Sequence, residues 1–178
     1  MRQRLFEQYY EQYSDAIYKY IFLLVGHKET AEDLTQETFY RGFKHYAKFQ
    51  EQAQIQTWLR KIARNIVYDY YRRKRIIRFI PFVAQYEPPD MSPIPSEIVE
   101  KGEKIAALYE ALSQLKLEYR EALILREMEG LSIKETAQIL GWSEAKVKNN
   151  TARAIQALKK IVGKEVMLDD EGFRAFTK

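Results

Sequence analysis

The sequence predicts an all-α protein built from two small helical domains joined by a proline-bearing linker. Helical periodicity of apolar residues recurs along most of the 178 residues, and no stretch sustains the alternation of a half-buried strand. All five prolines lie between residues 79 and 97, where each removes a backbone donor and restricts the residue before it. We therefore predict domains at residues 1–78 and 98–165, a linker at 79–97 and a tail at 166–178.

Seven helical patterns follow this division in chain order. Three precede the linker, at about residues 3–26, 29–45 and 56–76, and four follow it, at about residues 98–113, 117–128, 132–140 and 144–162. The segment from Met167 to Lys178 shows no clear helical period. It predicts a frayed end, with a peptide that docks on a partner as the alternative.

Composition limits the chemistry of the chain. A net charge of +4 is only mildly basic, so attraction to nucleic acid requires local clusters of Lys and Arg. The absence of cysteine excludes disulfides and thiolate metal sites, and the apolar run from Ile21 to Val25 is too short to span a membrane. His27 and His45 have no partners at metal-ligand spacing, and there is no phosphate-cradling Gly-Lys-Ser/Thr loop. We expect a soluble cytoplasmic protein without catalytic residues, metal, cofactor or small-molecule substrate.

Residues 131–161 have the spacing of a helix-turn-helix. Ala137 is small where two helices must approach, Gly141 suits a turn with positive φ, and Val147 follows as a buried residue of the second helix. Ser143 is a suitable N-cap for that helix. The residues predicted to face a DNA major groove are Ser143, Lys146, Lys148, Asn149, Asn150 and Arg153. An ordinary amphipathic helix pair closed by a glycine is the alternative.

A basic helix is predicted from Thr57 to Arg78. Its buried stripe at three- and four-residue spacing is expected to consist of Leu59, Ile62, Ala63, Ile66 and Tyr70. Cations and aromatic rings elsewhere on the helix could bind phosphates and stack unpaired bases. The predicted nucleic-acid contacts are Trp58, Arg60, Lys61, Arg64, Asn65, Tyr68, Arg72 and Arg73. The alternative is that the rings belong to the core and the cations to a solvated face.

The helix upstream, within residues 27–49, is predicted to have an acidic and polar exterior. Leu34, Thr38 and Phe39 are expected to face the core. The residues predicted to form a docking face for a protein partner are Asp33, Gln36, Glu37 and Tyr40. A merely solvated exterior is the alternative.

Two motifs in this order resemble a known family. DLTQETF at 33–39 and TWLRKIARN at 57–65 resemble domain two of bacterial RNA polymerase sigma factors of the extracytoplasmic function group, group IV of the sigma-70 family. The segment LSQLKLEYREALILREMEGLSIKETAQILGWSEAKVK at 112–148 resembles domain four of the same group. Two positions depart from the family pattern. Lys116 stands where proline commonly opens a helix, and Asn149, Asn150 and Thr151 alter the recognition helix.

The resemblance implies a subunit without an active site that binds core RNA polymerase and promoter DNA. The docking face would contact the polymerase clamp helices, and the basic helix with the loop from Tyr46 to Gln56 would hold the non-template strand of the minus-ten element, with one base flipped. The helix after Ser143 would enter the major groove of the minus-thirty-five element. Family members are usually restrained by an anti-sigma factor. A helix-turn-helix regulator that does not act with core polymerase, or a DNA enzyme such as a recombinase, would be the alternatives.

Overall fold

The structure is a computed structural model, and it describes residues 2–49, 54–78 and 103–162. These residues form helices and no strand. The chain divides into two units, residues 1–91 and residues 92–178. The all-α prediction is confirmed. The predicted linker at 79–97 and tail at 166–178 lie outside the described residues, so the predicted domain boundaries stay predictions.

The first unit contains three long helices and one short turn. These are α1 (Arg2–Val25), α2 (Lys28–His45), a 3-10 turn (Tyr46–Lys48) and α3 (Ile55–Arg78). Gly26 ends α1 with a φ of 77°, a conformation that glycine adopts without steric cost, and its N–H donates to the carbonyl of Phe22 at 2.8 Å. This glycine therefore lets α2 turn back along α1.

The core of the first unit lies where its three helices pack on one another. Ile17, Ile21 and Leu24 of α1 and Leu59 and Ile66 of α3 are at most 1% exposed. Full burial of each such side chain stabilises the fold by roughly 1.5–3 kcal/mol before the entropy cost of ordering is subtracted. This packing fixes the orientation of α2 and α3, and thereby decides which of their residues face outward.

The second unit also consists of helices. These are α4 (Glu103–Ser113), α5 (Leu117–Leu123), a π segment (Ile124–Met128), α6 (Ile133–Leu140) and α7 (Glu144–Val162). The single helix predicted at 117–128 is thus interrupted after Leu123, and the chain leaves the π segment through Gly130, which has a φ of 67°. Leu123, Ile124 and Leu125 are fully buried, so the π segment contributes to the core of this unit.

Arg120 holds the turn between α4 and α5. Its guanidinium donates to the carbonyls of Ser113 and Leu115, and the residue is only 8% exposed. Lys116, which precedes α5, has a φ of −56°, close to the value that a proline ring would impose. The helix therefore begins at Leu117 without the proline, and carbonyls left free at the turn are satisfied by Arg120.

Candidate nucleic-acid and partner interfaces

The outer side of α2 carries the predicted docking residues, which we call the acidic face: Asp33, Gln36, Glu37 and Tyr40. Tyr40 is 62% exposed, and Glu37 is half-buried. Leu34, Thr38 and Phe39 are buried on the opposite side, as predicted, and the Thr38 hydroxyl donates to the Leu34 carbonyl at 2.7 Å. The acidic face is therefore presented outward by a helix whose inner side is fully used in packing.

A series of charged groups connects α2 with α3. Arg41 Nε donates to Glu37 Oε1 at 2.6 Å, and Arg41 Nη1 lies 3.7 Å from Asp69 Oδ2 on α3. The other carboxylate oxygen of Asp69 accepts from Arg72 Nη2 at 2.9 Å. One residue of the predicted docking face is thus linked through Arg41 and Asp69 to one of the predicted DNA contacts.

The inner stripe of α3 agrees only in part with the sequence prediction. Leu59, Ala63 and Ile66 are buried, as predicted. Ile62 and Tyr70 are half-buried, so the prediction of burial is wrong for them. Ile62 lies at the edge of the stripe, and the Tyr70 ring lies near the C-terminal end of α3, with the Lys74 ammonium 5.3 Å from its centre. An aromatic ring with a polar tip commonly keeps that tip in water.

Arg60 is buried, contrary to the prediction that it lies on the basic exterior. The residue is 6% exposed, and its position places it three residues before Ala63 and seven before Val67, on the inner stripe. Its side chain lies beside that of Gln56, with 3.5 Å between Nη1 and Oε1. A nucleic-acid contact through Arg60 would therefore require its side chain to leave this position.

The remaining predicted contacts of α3 lie wholly or partly at the surface. Lys61, Asn65, Arg72 and Arg73 are exposed, and Trp58, Arg64 and Tyr68 are half-buried. The Arg64 guanidinium lies over the Tyr68 ring at 4.4 Å, a cation–π contact that fixes a cation beside an aromatic surface. We call the exposed cations Lys61, Arg72 and Arg73, with Asn65, the basic face.

Aromatic rings continue from α3 into the segment before it. The centres of the Trp58 and Phe49 rings are 5.0 Å apart, and Phe49 is stacked against Tyr46 at 6.0 Å. These half-buried rings flank residues 50–53, the part of the predicted base-holding loop that lies outside the described residues. The arrangement places apolar ring surface beside the start of the basic helix.

The helix-turn-helix is present, and three capping interactions define the ends of its helices. Ser132 and Glu135 form a reciprocal capping box at the start of α6, with Glu135 N–H to Ser132 Oγ at 3.1 Å and Ser132 N–H to Glu135 Oε2 at 2.8 Å. Gly141 ends α6 with a φ of 65°. Ser143 Oγ accepts from the Lys146 N–H at 3.2 Å, so the predicted N-cap is confirmed. The capping box was not among the sequence predictions, although its Ser-x-x-Glu pattern is visible at residues 132–135.

The outer side of α7 presents most of its predicted DNA contacts. Ala137 and Val147 are buried where α6 and α7 approach, as predicted. The exposed or half-buried predicted contacts are Ser143, Lys146, Lys148, Asn149 and Arg153. Asn150 is 6% exposed, so the prediction that it turns toward a groove is wrong. It lies three residues after Val147 and four before the buried Ala154, on the inner stripe of the helix.

Neither a membrane-crossing helix nor a metal-ligand cluster occurs within residues 2–49, 54–78 and 103–162. Each helix in these ranges is too short or too polar to cross a membrane. No group of three or more His, Asp or Glu side chains in the same ranges is arranged to hold a metal ion.

Known sequences are similar to both units of the chain. The family model of sigma-70 region 2 matches residues 9–76, and that of sigma-70 region 4 matches residues 105–158. The extracytoplasmic function (ECF) RNA polymerase sigma factor SigX of Bacillus subtilis (strain 168) is 34% identical over 173 residues, which cover 93% of this chain and 89% of SigX. The RNA polymerase sigma factor YlaC of the same organism is 36% identical over 156 residues, covering 86% of this chain and 90% of YlaC.

Solved structures support the fold. The sigma factor RpoE from Bartonella quintana, determined in complex with the anti-sigma factor NepR, is similar with a TM-score of 0.71 over 88% of this chain and 95% of RpoE, at 24% identity. CnrH, in complex with the cytosolic domain of CnrY, has a TM-score of 0.66 over 89% of this chain and 87% of CnrH, at 23% identity. The sequence matches to both units show that the chain belongs to the ECF family of RNA polymerase sigma factors.

Proposed function

We propose that this chain acts as a sigma subunit that binds core RNA polymerase through the acidic face and reads a promoter with its two units. The observation that carries this proposal is the combination, in one chain, of an acidic face and a basic face on the first unit with a helix-turn-helix in the second. A conventional helix-turn-helix regulator is not favoured, because the chain belongs to the sigma family through both units. The subunit contributes binding and no catalytic group, and it works in the cytosol, where the polymerase transcribes.

The acidic face suits a protein partner because it combines charge with an exposed ring. Tyr40 offers apolar area with a polar tip, of the kind enriched at protein interfaces, and Asp33 and Glu37 add negative charge beside it. Charge of this kind steers association and selects among partners. We therefore assign the acidic face to the clamp helices of core polymerase.

The basic face suits the minus-ten element once its strands separate. Exposed cations on α3 attract phosphates, while the neighbouring rings of Trp58, Phe49 and Tyr46 provide surfaces on which an unpaired base could stack. Stacking of a base on an aromatic side chain contributes roughly 1–3 kcal/mol. Asn65, exposed between the cations, is assigned a polar contact with a base.

The exposed side of α7 suits a major groove at the minus-thirty-five element. Its N-terminus is closed by Ser143, and its polar residues at the surface include Lys148, Asn149 and Arg153. Asparagine can pair bidentately with adenine, and arginine or lysine with guanine. We assign Asn149 and Arg153 to base edges; Lys148 binds either a base edge or a phosphate.

An anti-sigma factor is a further proposed partner. One structural relative, RpoE, was determined with the anti-sigma factor NepR bound, and another, CnrH, with the cytosolic domain of CnrY bound. A protein that covers the acidic face or the basic face of this chain would prevent assembly with polymerase or with DNA.

Replacing Arg72 and Arg73 by alanine is expected to weaken promoter binding by the polymerase complex at every promoter sequence. Each lost phosphate contact on a single strand removes roughly 0.7 from the slope of log affinity against log salt, so two lost contacts should flatten the slope by about 1.4. Arg72 must exchange its Asp69 partner for a phosphate, which an exposed pair allows. Binding isotherms over a series of salt concentrations measure the slope.

The matched control for this pair replaces Arg4 and Lys19, two exposed cations on α1, by alanine. That variant loses the same charge and should keep the parental slope. Equal slopes in both double variants would show that only the net charge of the unit matters, and would contradict the assignment to α3.

Replacing Asn149 by alanine is expected to relax base preference at one position of the minus-thirty-five element, at a cost of about 1–3 kcal/mol for the preferred base pair. Asn150→Ala is the matched control, because the neighbouring asparagine is buried and should leave the preference unchanged. Transcription from templates with a randomised upstream element measures both. If Asn149→Ala kept the parental base preference, Asn149 would not read a base, and α7 would be assigned to phosphate contacts instead.

Run-off transcription with purified core polymerase tests the proposed function as a whole. Core enzyme with the chain should initiate at a defined site on a cognate promoter, and core enzyme alone should not. Sequence-specific DNA binding by the chain with no effect on initiation would instead support the helix-turn-helix regulator.

A further inference from the structure

Lys146, a predicted DNA contact on the recognition helix α7, is held by groups from two other parts of the second unit. Its ammonium lies 3.1 Å from Glu118 Oε1, on the first turn of α5, and 4.2 Å from the centre of the Trp142 ring. Its backbone N–H donates to the Ser143 cap. These contacts bias the ammonium of this side chain toward Glu118 and Trp142 before any DNA is bound.

The contact between Lys146 and Glu118 remains accessible to a ligand. The two side chains keep 42% and 52% of their surface exposed. Exposed ion pairs of this kind contribute little to folding stability. A free lysine on a recognition helix would instead sample many rotamers and could reach any nearby phosphate. The pair therefore restricts the rotamers of Lys146 and the DNA acceptors that its ammonium can reach.

Glu118 discriminates between the two kinds of acceptor that DNA offers. A phosphate oxygen that approached the Lys146 ammonium would also approach the Glu118 carboxylate, and two full negative charges repel each other. The O6 and N7 atoms of guanine carry only partial charges, so their approach meets much less repulsion. The carboxylate therefore disfavours phosphate contacts more than base contacts.

We propose that Glu118 is a specificity-determining positioning residue, which together with Trp142 directs the Lys146 ammonium to a base-edge acceptor of the guanine type. Glu118 itself is not a base reader in this arrangement, because it acts through Lys146. This inference rests on the proposed function, since it assigns one residue within the minus-thirty-five interface. It also places a residue of α5, outside the helix-turn-helix, among those that set promoter preference.

The test compares the parental chain with Glu118→Gln, each assembled with core polymerase, on templates with a randomised minus-thirty-five element. Without the carboxylate the Lys146 ammonium can reach a phosphate, so the slope of log affinity against log salt should steepen by about 0.9. Discrimination at one base pair should fall by about fivefold or more, the lower end of a base contact. Lys146→Ala should lose the same base discrimination without steepening the salt slope. The double variant Lys146→Ala with Glu118→Gln should have the same base discrimination and salt slope as Lys146→Ala alone.

Glu144→Gln is the matched control. Glu144 is an exposed glutamate at the first residue of α7. The ion pairs found within the described ranges do not include it. If its replacement produced the same change as Glu118→Gln, general charge rather than the position of Lys146 would be responsible, and the inference would be overturned. A lower thermal midpoint of Glu118→Gln with an unchanged base profile and salt slope would also overturn it. Specific initiation by the parental chain, required in every case, shows that the proposed function holds even if the inference about Glu118 fails.

Discussion

Replacing Asp33 and Glu37 by lysine is expected to abolish assembly with core polymerase while the chain stays folded. Asp33 is exposed and Glu37 half-buried on the outer side of α2, so neither substitution buries a charge in the core. An acidic docking face pairs with a partner surface of complementary charge, so two lysines would place like charges against each other across the interface. Such contacts cost several kcal/mol, and the loss of affinity should therefore exceed roughly a hundredfold. A fluorescence titration with labelled core enzyme measures it, and circular dichroism reports the helix content.

The control for this variant reverses two acids elsewhere in the same unit. Glu11 and Asp15 are exposed on α1 with the same four-residue spacing as Asp33 and Glu37. Changing both to lysine alters the net charge equally and should leave the affinity for core unchanged. If the α2 variant bound core as tightly as the parent and kept a native spectrum, the acidic face would not be the docking surface.

Replacing Arg120 by alanine is expected to destabilise the second unit and to remove recognition of the minus-thirty-five element. The guanidinium donates to the carbonyls of Ser113 and Leu115, and each buried group left without its partner costs about 1–3 kcal/mol. Hydrogen exchange on the full chain should show faster exchange of the amides at the α4–α5 turn. Assembly with core should persist, because the acidic face belongs to the first unit.

Two further variants separate the role of the guanidinium from that of its charge. Arg120→Lys keeps the charge but lacks the planar fork that reaches two carbonyls, and should recover only part of the protection. Lys134→Ala removes an exposed cation from α6 and should change stability by no more than about 0.5 kcal/mol. Parental exchange rates in Arg120→Ala would show that the turn is held by other contacts.

The helix-turn-helix could be predicted from the sequence because its signals are local. Gly141 and Ser143 stand within three residues of each other, and each acts on its own backbone through a positive φ or a cap. Ala137 and Val147 then fit the close approach of the two helices. The structure confirms all four roles.

The errors about burial have a common cause. Arg60 and Asn150 are polar, and residue type alone predicts exposure for both, whereas position on the helix predicts burial. Each lies three residues from one buried apolar residue of its helix, and the spacing therefore already placed both on the inner stripe. Long or amphipathic polar side chains can occupy such positions when part of their surface packs against apolar neighbours.

Contacts between distant residues could not be predicted from a single sequence. Lys146 and Glu118 are 28 positions apart, and the Tyr71 hydroxyl donates to the Leu24 carbonyl across 47 positions. No periodicity encodes these pairs, because they depend on how one helix packs against another. The positioning of Lys146 is therefore a result of the structure alone.

In the proposed function one chain, bound to core polymerase, reads two separate promoter elements with two separate units. The decisive measurement maps transcription start sites on a template library randomised at both elements. Core enzyme is assembled in turn with the parental chain, with Asn65→Ala and with Asn149→Ala. We expect two blocks of preferred bases upstream of a common start. Asn65→Ala should alter only the block near minus ten, and Asn149→Ala only the block near minus thirty-five. Starts that are unchanged from those of core enzyme alone, or a single block altered by both variants, would contradict it.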